Sequence, residues 1–325
     1  MDAPGPGSRI LVTGGVGFIG SHLVEALRAR GCTVVVVDNF DGAYPLDRKW
    51  ANARAICRPG VAGDVRLVRG DIRDEALLAD VLGGVDAVMH LAALAGVRDS
   101  LRDPARYVDV NVGGTQRLLQ AMERAGCRRL VFASSSSVYG EVATGRFTED
   151  LAADRPVSPY AATKRTGELL IHAAHVAWGL DATCLRFFTV YGPRQRPGMA
   201  IARFVQLARQ GAVLPLFGDG SSVRDYTFVT DAVAGLLAAL DRPLGYEVIN
   251  LGCGTPVRLD HLVDTIGRVL GKAVQVAHLP VQTGDVARTH AAIDKAARLL
   301  DWRPQVSLEE GLHAYIDWAR ATEGW

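Results

Sequence analysis

A glycine-rich turn close to the start of the chain restricts the possible folds more than any other feature. Residues 13–20 (TGGVGFIG) follow directly after the β-branched run 10–12, and residues 21–30 continue with the amphipathic pattern of a helix. Strand, glycine turn and helix therefore occur in the order of a βαβ unit that binds a dinucleotide. The pattern alone leaves an ordinary tight βα turn as the alternative.

The glycines of this turn have separate tasks. Gly14 permits the tight turn, Gly17 lets backbone N–H groups approach a pyrophosphate, and Gly20 allows close packing of the helix. The N-terminus of that helix also favours an anion. Within the turn we expect contacts to a dinucleotide from Gly14, Gly17, Phe18, Ile19 and Gly20.

Short β-branched runs alternate with helical patterns through the first half of the chain. The runs are residues 10–12, 33–37, 65–68, 87–89 and 130–132, and apolar strands at about 181–186 and 248–249 extend the series. This alternation predicts an α/β fold with a doubly wound parallel sheet of Rossmann type, covered by helices on both faces.

The later part of the chain follows this alternation less well and contains more Pro, Gly and Arg. We therefore predict two lobes around one ligand cleft. Residues 1–186 and 225–252 would form the dinucleotide-binding lobe, and residues 187–224 and 253–325 a smaller, largely C-terminal lobe that binds substrate.

The end of the second predicted strand indicates which dinucleotide binds. Asp38 and Asn39 follow the run 33–37, where an acidic side chain can accept hydrogen bonds from the adenosine ribose. A carboxylate repels a 2′-phosphate, so NAD is expected rather than NADP. Further cofactor contacts are expected after later strands, from Asp71, Ile72, Leu91, Ala92, Ala93 and Asn111. For residues 91–93, packing at the strand end is an equally compatible role.

A serine, a tyrosine and a lysine predict an enzyme. The fifth strand ends in Ser135, and Tyr160 and Lys164 stand four residues apart at the start of a predicted helix, so both project from one face. Tyrosine is a poor base because its pKa is about 10, but a lysine ammonium and a nicotinamide cation favour the phenolate. Tyr160 would take a proton from a substrate hydroxyl while Ser135 hydrogen-bonds the same oxygen. An ordinary surface helix is the alternative for Tyr160 and Lys164.

Six motifs in this order resemble one known family: TGGVGFIG, HLAALAGVR, ASSSSVYG, SPYAATK, RFFTVYGP and VRDYTFV. They are similar to the extended short-chain dehydrogenases that act on nucleotide sugars, the NAD-dependent epimerase/dehydratase family, over residues 9–312. The resemblance implies Ser135, Tyr160 and Lys164 as the catalytic set, with bound NAD and a nucleoside-diphosphate sugar as substrate. It also implies a homodimer through helices at about 105–125 and 160–178.

Within that family, the two residues after the catalytic serine differ with the chemistry. Dehydratases have an Asp-Glu pair where this chain has Ser136 and Ser137, and UDP-glucuronate decarboxylases have a Glu at the second position. Because this chain has neither acid, the resemblance implies epimerisation, in which a hydride is removed and returned.

The substrate motifs resemble the UDP-glucuronate 4-epimerases of the family. FFTVYGP is followed shortly by RPGMA, and UDP-glucose 4-epimerases have Asn where this chain has Thr189. The resemblance implies that Ser136, Ser137 and Thr189, which we call the hydroxyl cluster, bind the sugar carboxylate near Arg196 and Ala200. It implies further that Arg224 and Arg288 bind the diphosphate, and that Leu216 and Phe217 contact the uracil. A UDP-glucose 4-epimerase, a decarboxylase and a non-catalytic NAD-sensing protein are the alternatives.

Composition excludes several other classes. With 36 basic and 35 acidic residues the net charge is +1, so no broad field favours nucleic acid or an anionic membrane. The five cysteines show no CxxC spacing, which favours reduced thiols over zinc or disulfides. Neither a signal-peptide pattern nor a long apolar run is present. We therefore expect a cytoplasmic protein without a metal, a nucleic-acid partner or a membrane anchor.

Overall fold

The protein is described by a computed structural model that covers residues 4–280 and 286–322. Its strands, in chain order, are β1 (Arg9–Thr13), β2 (Thr33–Asp38), β3 (Val65–Arg69), β4 (Ala87–His90), β5 (Arg129–Ser135), β6 (Asp181–Phe187), β7 (Thr189–Tyr191), β8 (Leu214–Phe217), β9 (Val223–Phe228), β10 (Tyr246–Leu251), β11 (Pro256–Arg258) and β12 (Val276–Leu279).

The helices of the same residues are α1 (Phe18–Ala29), α2 (Leu46–Ile56), α3 (Glu75–Val81), α4 (Val97–Arg102), α5 (Pro104–Tyr107), α6 (Gly114–Ala125), α7 (Pro159–Trp178), α8 (Ala200–Arg209), α9 (Val229–Asp241), α10 (Leu259–Leu270), α11 (Asp294–Leu300) and α12 (Leu308–Thr322). A π-helical turn over Val108–Gly113 joins α5 to α6. A 3₁₀ turn over Ser136–Tyr139 follows β5.

Seven of the strands form one parallel sheet in the order β10-β6-β5-β4-β1-β2-β3. The chain order reverses between β1 and β4, and a crevice opens at such a point beyond the carboxyl ends of the strands. Every run predicted from the sequence lies in a strand of this sheet. The predicted α/β fold with a Rossmann-type sheet is therefore confirmed.

Helices cover both faces of the sheet because successive strand side chains point to opposite sides. Ile10 and Val12 join the core under α1 and α9, whereas Leu11 packs with α3, α6 and α7 on the other face. Both faces are covered except at the edge strand β3, which is partly exposed, and this burial accounts for strands of nearly continuous apolar residues.

Other strands form two small sheets. β9 pairs with β7 in parallel and with β11 in antiparallel orientation, and β8 pairs with β12 in parallel. The boundary expected at residue 225 thus falls inside β9, which pairs outside the central sheet. Helix α9 then returns to the central sheet beside α1. The division into two lobes at the stated residues stays a prediction.

Two helical segments differ in detail from the sequence expectation. Helix α1 begins at Phe18 rather than at residue 21, because Gly17 has extended backbone (φ −70°, ψ −178°) and serves as its N-cap. The segment expected as one helix over about 105–125 is α5, the π-helical turn and α6. Among the described residues, no helix combines the length and the apolar character that crossing a bilayer requires.

The packing of α1 predicts a strong effect of Gly20→Ala. A Cβ at this position would lie 2.2 Å from the carbonyl oxygen of Gly14, so the helix or the turn must move. We expect the substitution to lower the free energy of unfolding by about 1–3 kcal/mol and to release the dinucleotide. Chemical denaturation and the absorbance of co-purified dinucleotide measure both effects.

Gly83→Ala is the matched control, because the only contact of its added Cβ within 4 Å is Asp80 O at 3.7 Å. It should change the free energy of unfolding by less than about 0.5 kcal/mol. Equal behaviour of the two variants would contradict the packing argument.

Candidate active site

The main cleft opens at the carboxyl ends of β1 and β4, where the chain order of the sheet reverses. Its walls contain most of the residues selected from the sequence: Gly14, Gly17, Phe18, Ile19, Gly20, Asp38, Asn39, Asp71, Ile72, Leu91, Ala92, Ala93, Ser135, Tyr160, Lys164, Thr189 and Arg196. The structure thus brings together residues from separate strand ends and from the loop after β7.

The glycine turn forms one end of this cleft. Gly14 has a φ of +74°, its N–H donates to Val37 O at 2.7 Å, and a Cβ there would lie 2.8 Å from Ala92 N. Only glycine fits such a left-handed position between two strand ends. The first turn of α1 follows, and the leading N–H groups of a helix lack intrahelical acceptors. This end of the cleft can therefore bind a pyrophosphate.

Asp38 lies beside the glycine turn and has a basic partner that the sequence reading missed. Its Oδ1 accepts from Lys49 Nζ at 2.8 Å and from Phe40 N at 2.8 Å, and its Oδ2 accepts from Val16 N at 3.3 Å. Both side chains of the ion pair are nearly buried and both line the main cleft. Lys49 belongs to α2, eleven positions further along the chain, and no local motif marks it.

Asn39 and Asp71 also meet at this end. Asn39 Nδ2 donates to Asp71 Oδ2 at 2.9 Å, and Arg73 binds the same carboxylate through Nε and Nη2, each at 2.8 Å. The hydrogen bonds from Arg73 hold the pKa of Asp71 well below its usual range. Asp71 is therefore an ionised acceptor at the rim of the cleft.

Asn111 occupies a different position from the other predicted cofactor residues. It is buried in the π-helical turn and does not line the main cleft. Its side chain accepts from Leu94 N at 2.8 Å and donates to Leu94 O and to Thr163 Oγ1, each at 3.0 Å. It fixes the segment after β4 against α7, so its side-chain groups are used within the protein and do not face the cleft.

Ser135, Tyr160 and Lys164 converge in the middle of the main cleft. Ser158 caps α7 by accepting from Ala161 N at 3.2 Å, which places Tyr160 in the first turn. One turn later, Lys164 Nζ donates to Ala133 O at 2.7 Å and lies 4.9 Å from the centre of the Phe132 ring. These contacts join the start of α7 to the end of β5.

The electrostatics of this group differ in part from the sequence expectation. Burial raises the pKa of Tyr160, whereas a hydrogen bond with Ser135 and the charge of Arg196 lower it. Burial also lowers the pKa of Lys164 to about 8, against the opposing charge of Glu168. Arg196 thus places a positive charge near Tyr160 that the sequence reading did not expect, while Lys164 donates its ammonium to a backbone carbonyl of β5.

The hydroxyl cluster is only partly in the main cleft. Thr189 lines the cleft, while Ser136 and Ser137 lie in the 3₁₀ turn beside it. Ser135 Oγ donates to Ser137 Oγ at 3.1 Å and accepts from Ser137 N at 3.2 Å, which fixes this turn to the end of β5. Ala200 is exposed at the start of α8 and does not line the cleft.

Arg196 and Met199 reach the cleft from the loop before α8. Arg196 Nη1 donates to Ala95 O at 3.0 Å, and Tyr107 Oη donates to the same oxygen at 3.1 Å. The guanidinium therefore lies close to Tyr160 with one of its donors bound to backbone. Met199, the neighbour of the predicted Ala200, was missed because an apolar residue in a loop carries no sequence signal for a site.

A second cleft contains the predicted nucleotide residues. Phe217, Arg224 and Arg288 line it together with Glu141, Asp219 and Ser222, among others. Leu216 is buried beneath, with 2% of its surface exposed, so β8 presents Phe217 alone. The guanidinium of Arg98, on α4, lies 5.6 Å from the Phe217 ring centre. An aromatic side chain and two arginines suit a nucleoside diphosphate.

Comparison with known proteins agrees with this geometry. The model of the NAD-dependent epimerase/dehydratase family matches residues 10–252. The chain belongs to this family. A UDP-glucuronate 4-epimerase from Thermodesulfobacterium geofontis is 41% identical over 313 residues, 95% of either chain. UDP-glucuronate 4-epimerase 5 of Arabidopsis thaliana is 39% identical and aligns with 96% of this chain and 75% of its own.

Solved structures of the epimerase/dehydratase family include one from Bacillus cereus, a UDP-glucuronic acid 4-epimerase in complex with UDP-glucuronic acid and NAD. It superimposes with a TM-score of 0.89 at 38% identity and covers 96% of this chain and 99% of its own. The residues of the main cleft fit NAD independently, because a tightly packed glycine turn without room for a Cβ at Gly14 or Gly20 and the carboxylate of Asp38 line the same cleft. No cluster of potential metal ligands occurs among residues 4–280 and 286–322.

The lowered pKa of Lys164 predicts how activity changes with pH. If its ammonium is needed, the rate must fall as pH rises through about 8, the pKa of Lys164, because the charge is lost above it. We expect this alkaline decrease in kcat measured by product formation over pH. Lys272→Met, which removes an amine that is bound to Arg209 O far from β5, should leave the profile unchanged. A rate that stays constant above this pKa would contradict a role for the charge.

Proposed function

We propose that this protein is an NAD-dependent UDP-glucuronate 4-epimerase that interconverts UDP-glucuronic acid and UDP-galacturonic acid. One observation supports this most: Ser135, Tyr160 and Lys164 share a cleft with the glycine turn and with Thr189 and Arg196. The neutral side chains after Ser135 leave hydride removal and return as the chemistry. The relatives that bear this name align over nearly the whole chain.

In the proposed mechanism, Tyr160 removes the proton of the C4 hydroxyl while Ser135 hydrogen-bonds the oxygen that becomes a carbonyl. NAD, held by the glycine turn and Asp38, would supply the hydride chemistry at C4, namely removal of a hydride and its return to the opposite face of the sugar. Arg196 and Lys164 supply the positive charge that favours the Tyr160 phenolate. Tyr160 then returns its proton to the C4 oxygen, so the protein regains its initial state.

The 4-keto sugar must turn over between the two hydride transfers. We propose that Arg224 and Arg288 bind the diphosphate in the second cleft during this rotation, with Phe217 against the uracil. Asp225 supports both arginines: its buried carboxylate accepts from Cys253 N, Gly254 N and Ala291 N, which fixes β9 to the segment that follows Arg288. The nucleotide thus stays fixed while the sugar rotates.

A hexuronate carries a hazard at the keto stage, because its carboxylate is β to the new ketone and can leave as CO₂. We propose that the hydroxyl cluster, with Arg196, holds the carboxylate in an orientation that resists this loss. Support comes from the position of Thr189 in the cleft wall and from the hydrogen bonds that join Ser137 to Ser135.

The direct test is NMR of purified protein with UDP-glucuronate and, separately, with UDP-glucose, without added cofactor. We expect UDP-galacturonate to accumulate and UDP-glucose to remain unchanged. Equal turnover of UDP-glucose would favour a UDP-glucose 4-epimerase, UDP-pentose as main product would establish a decarboxylase, and no turnover of either sugar would leave an NAD-sensing protein.

Tyr160→Phe tests the proposed base. Loss of the hydroxyl removes proton transfer, so kcat should fall by about 10²-fold or more while NAD stays bound. Tyr107→Phe is the control, because this neighbouring ring lies 6.4 Å from that of Tyr160 and its hydroxyl donates to the backbone oxygen of Ala95. A fully active Tyr160→Phe protein would remove Tyr160 from the mechanism.

Thr189→Val tests the hydroxyl cluster. Losing one hydrogen bond to a carboxylate should raise KM for UDP-glucuronate by about tenfold and increase the fraction of UDP-pentose formed. The control is Thr227→Val, since Thr227 Oγ1 is buried without a hydrogen-bond partner among the described residues. Unchanged KM and product ratio for Thr189→Val would contradict the assignment.

We also propose that the enzyme is a cytoplasmic homodimer. The five free cysteines support a reducing compartment. Val108, Leu169 and Val176, on the expected interface helices, expose 51%, 53% and 72% of their surface. Light scattering should give the mass of a dimer, and Leu169→Glu with Val176→Glu should give a monomer. A monomeric unmodified protein would contradict the proposal.

A further inference from the structure

A buried carboxylate lies directly behind the catalytic group. Glu168 follows Lys164 by one turn of α7 and is fully buried. Its Oε1 accepts from Ser134 Oγ at 2.6 Å and from Arg186 Nε at 2.8 Å. Its Oε2 accepts from Arg186 Nη2 at 2.8 Å and from Arg165 Nη1 at 2.9 Å. Glu168 therefore connects α7 with both β5 and β6.

Glu168 is ionised in this setting. Burial raises the pKa of the carboxyl, but hydrogen bonds and charge from Arg186 outweigh this effect and leave the pKa of Glu168 below its ordinary value. Arg186 itself is 2% exposed, and its guanidinium stacks 4.6 Å from the centre of the Tyr139 ring. The pair is thus a fixed bidentate ion pair in the protein interior.

Positive charges outnumber negative charges around this ion pair. Three cations, Lys164, Arg165 and Arg186, surround the single carboxylate of Glu168, and Lys164 is 4% exposed. Water screens such charges poorly, so cations without a counter-charge would drive the proton from the most weakly basic of them, the lysine. Within residues 4–280 and 286–322, the ammonium of Lys164 contacts Ala133 O and the face of Phe132, both uncharged.

We infer that Glu168 is a positioning residue for the reaction, whose carboxylate keeps Lys164 protonated beside Tyr160 while Arg186 fixes that carboxylate in place. The lowered pKa of Lys164 agrees with this, since burial lowers it and the charge of Glu168 is the largest influence in the opposite direction. Lys164 on α7 donates to Ala133 O, and Ser134, the next residue of β5, donates to Glu168 on α7. The contacts that place the Glu168 charge near Lys164 therefore also hold α7 against the end of β5.

The other titratable and charged groups around Lys164 belong to several elements. They are Tyr160 and Arg165 on α7, Cys184 and Arg186 on β6, His90 on β4, Tyr139 in the 3₁₀ turn, Tyr246 on β10, and Arg196 with Tyr107 near Tyr160. Burial lowers the pKa of His90 to about 3 and raises that of Tyr139 to about 12, so both are neutral near pH 7. Glu168 is the anion in this set.

The test compares Glu168→Gln, Arg186→Gln, the double variant and Ser134→Ala. The first leaves Arg186 and Arg165 without a counter-charge, so the alkaline decrease in kcat should move to lower pH by about one unit. Arg186→Gln should move it to higher pH. The double variant removes one charge of each sign, so its pH profile of kcat should lie close to that of the unmodified protein. Ser134→Ala removes one hydrogen bond and no charge, so its profile should not move.

A second measurement does not depend on turnover. The near-ultraviolet absorbance of the Tyr160 phenolate is taken as the difference from Tyr160→Phe. The pH at which this absorbance rises should differ between Glu168→Gln and the unmodified protein, and the double variant should restore the unmodified value. Thermal unfolding and bound NAD are recorded for each variant. If Glu168→Gln fails to fold, the opposite displacement in Arg186→Gln still tests the inference.

Coincident pH profiles for all folded variants, whatever their rates, would overturn the inference and leave Glu168 a purely structural role. The inference rests on the proposed roles of Tyr160 and Lys164. Failure of those roles is distinguishable, because Tyr160→Phe and Lys164→Met would then retain full activity whatever Glu168 does.

Discussion

The contact between Gly20 and the carbonyl oxygen of Gly14 is the constraint on which the rest of the site depends. It brings the N-terminus of α1 to the end of β1, with no space for a side chain between them. Parallel pairing then places the ends of β4 and β5 at the same edge. Ser135 ends β5, and α7, which carries Tyr160 and Lys164, packs against it. The contact between Gly20 and Gly14 thus determines where the dinucleotide site lies relative to Ser135, Tyr160 and Lys164.

Much of the fold was predictable because its signals are local. The β-branched runs and the glycine turn are read within a few residues, and each expected strand is present in the central sheet. The convergence of Ser135, Tyr160 and Lys164 in one cleft was also predictable, since two of them share one helix and the third ends a strand. The π-helical turn over Val108–Gly113 was not, because a single π turn between two α-helical segments has no local sequence signature.

What the sequence did not reveal depends on contacts between distant segments. Lys49 pairs with Asp38 across the loop from β2 to α2, and Arg186 on β6 pairs with Glu168 on α7. The local sequence around these residues does not indicate either ion pair. The same reason applies to Asn111, whose side chain is used by Leu94 and Thr163 rather than by the cleft. The role of such a charged residue depends on the side chains beside it in the folded protein, which its local sequence does not indicate.

The proposed mechanism requires that the hydrogen removed from C4 of the sugar return to C4 within one closed site. The decisive experiment uses UDP-glucuronate that carries deuterium at C4, incubated in ordinary water without added cofactor. We expect UDP-galacturonate that retains the deuterium at C4, because the hydrogen never meets solvent. Product with hydrogen from water at C4 would contradict it.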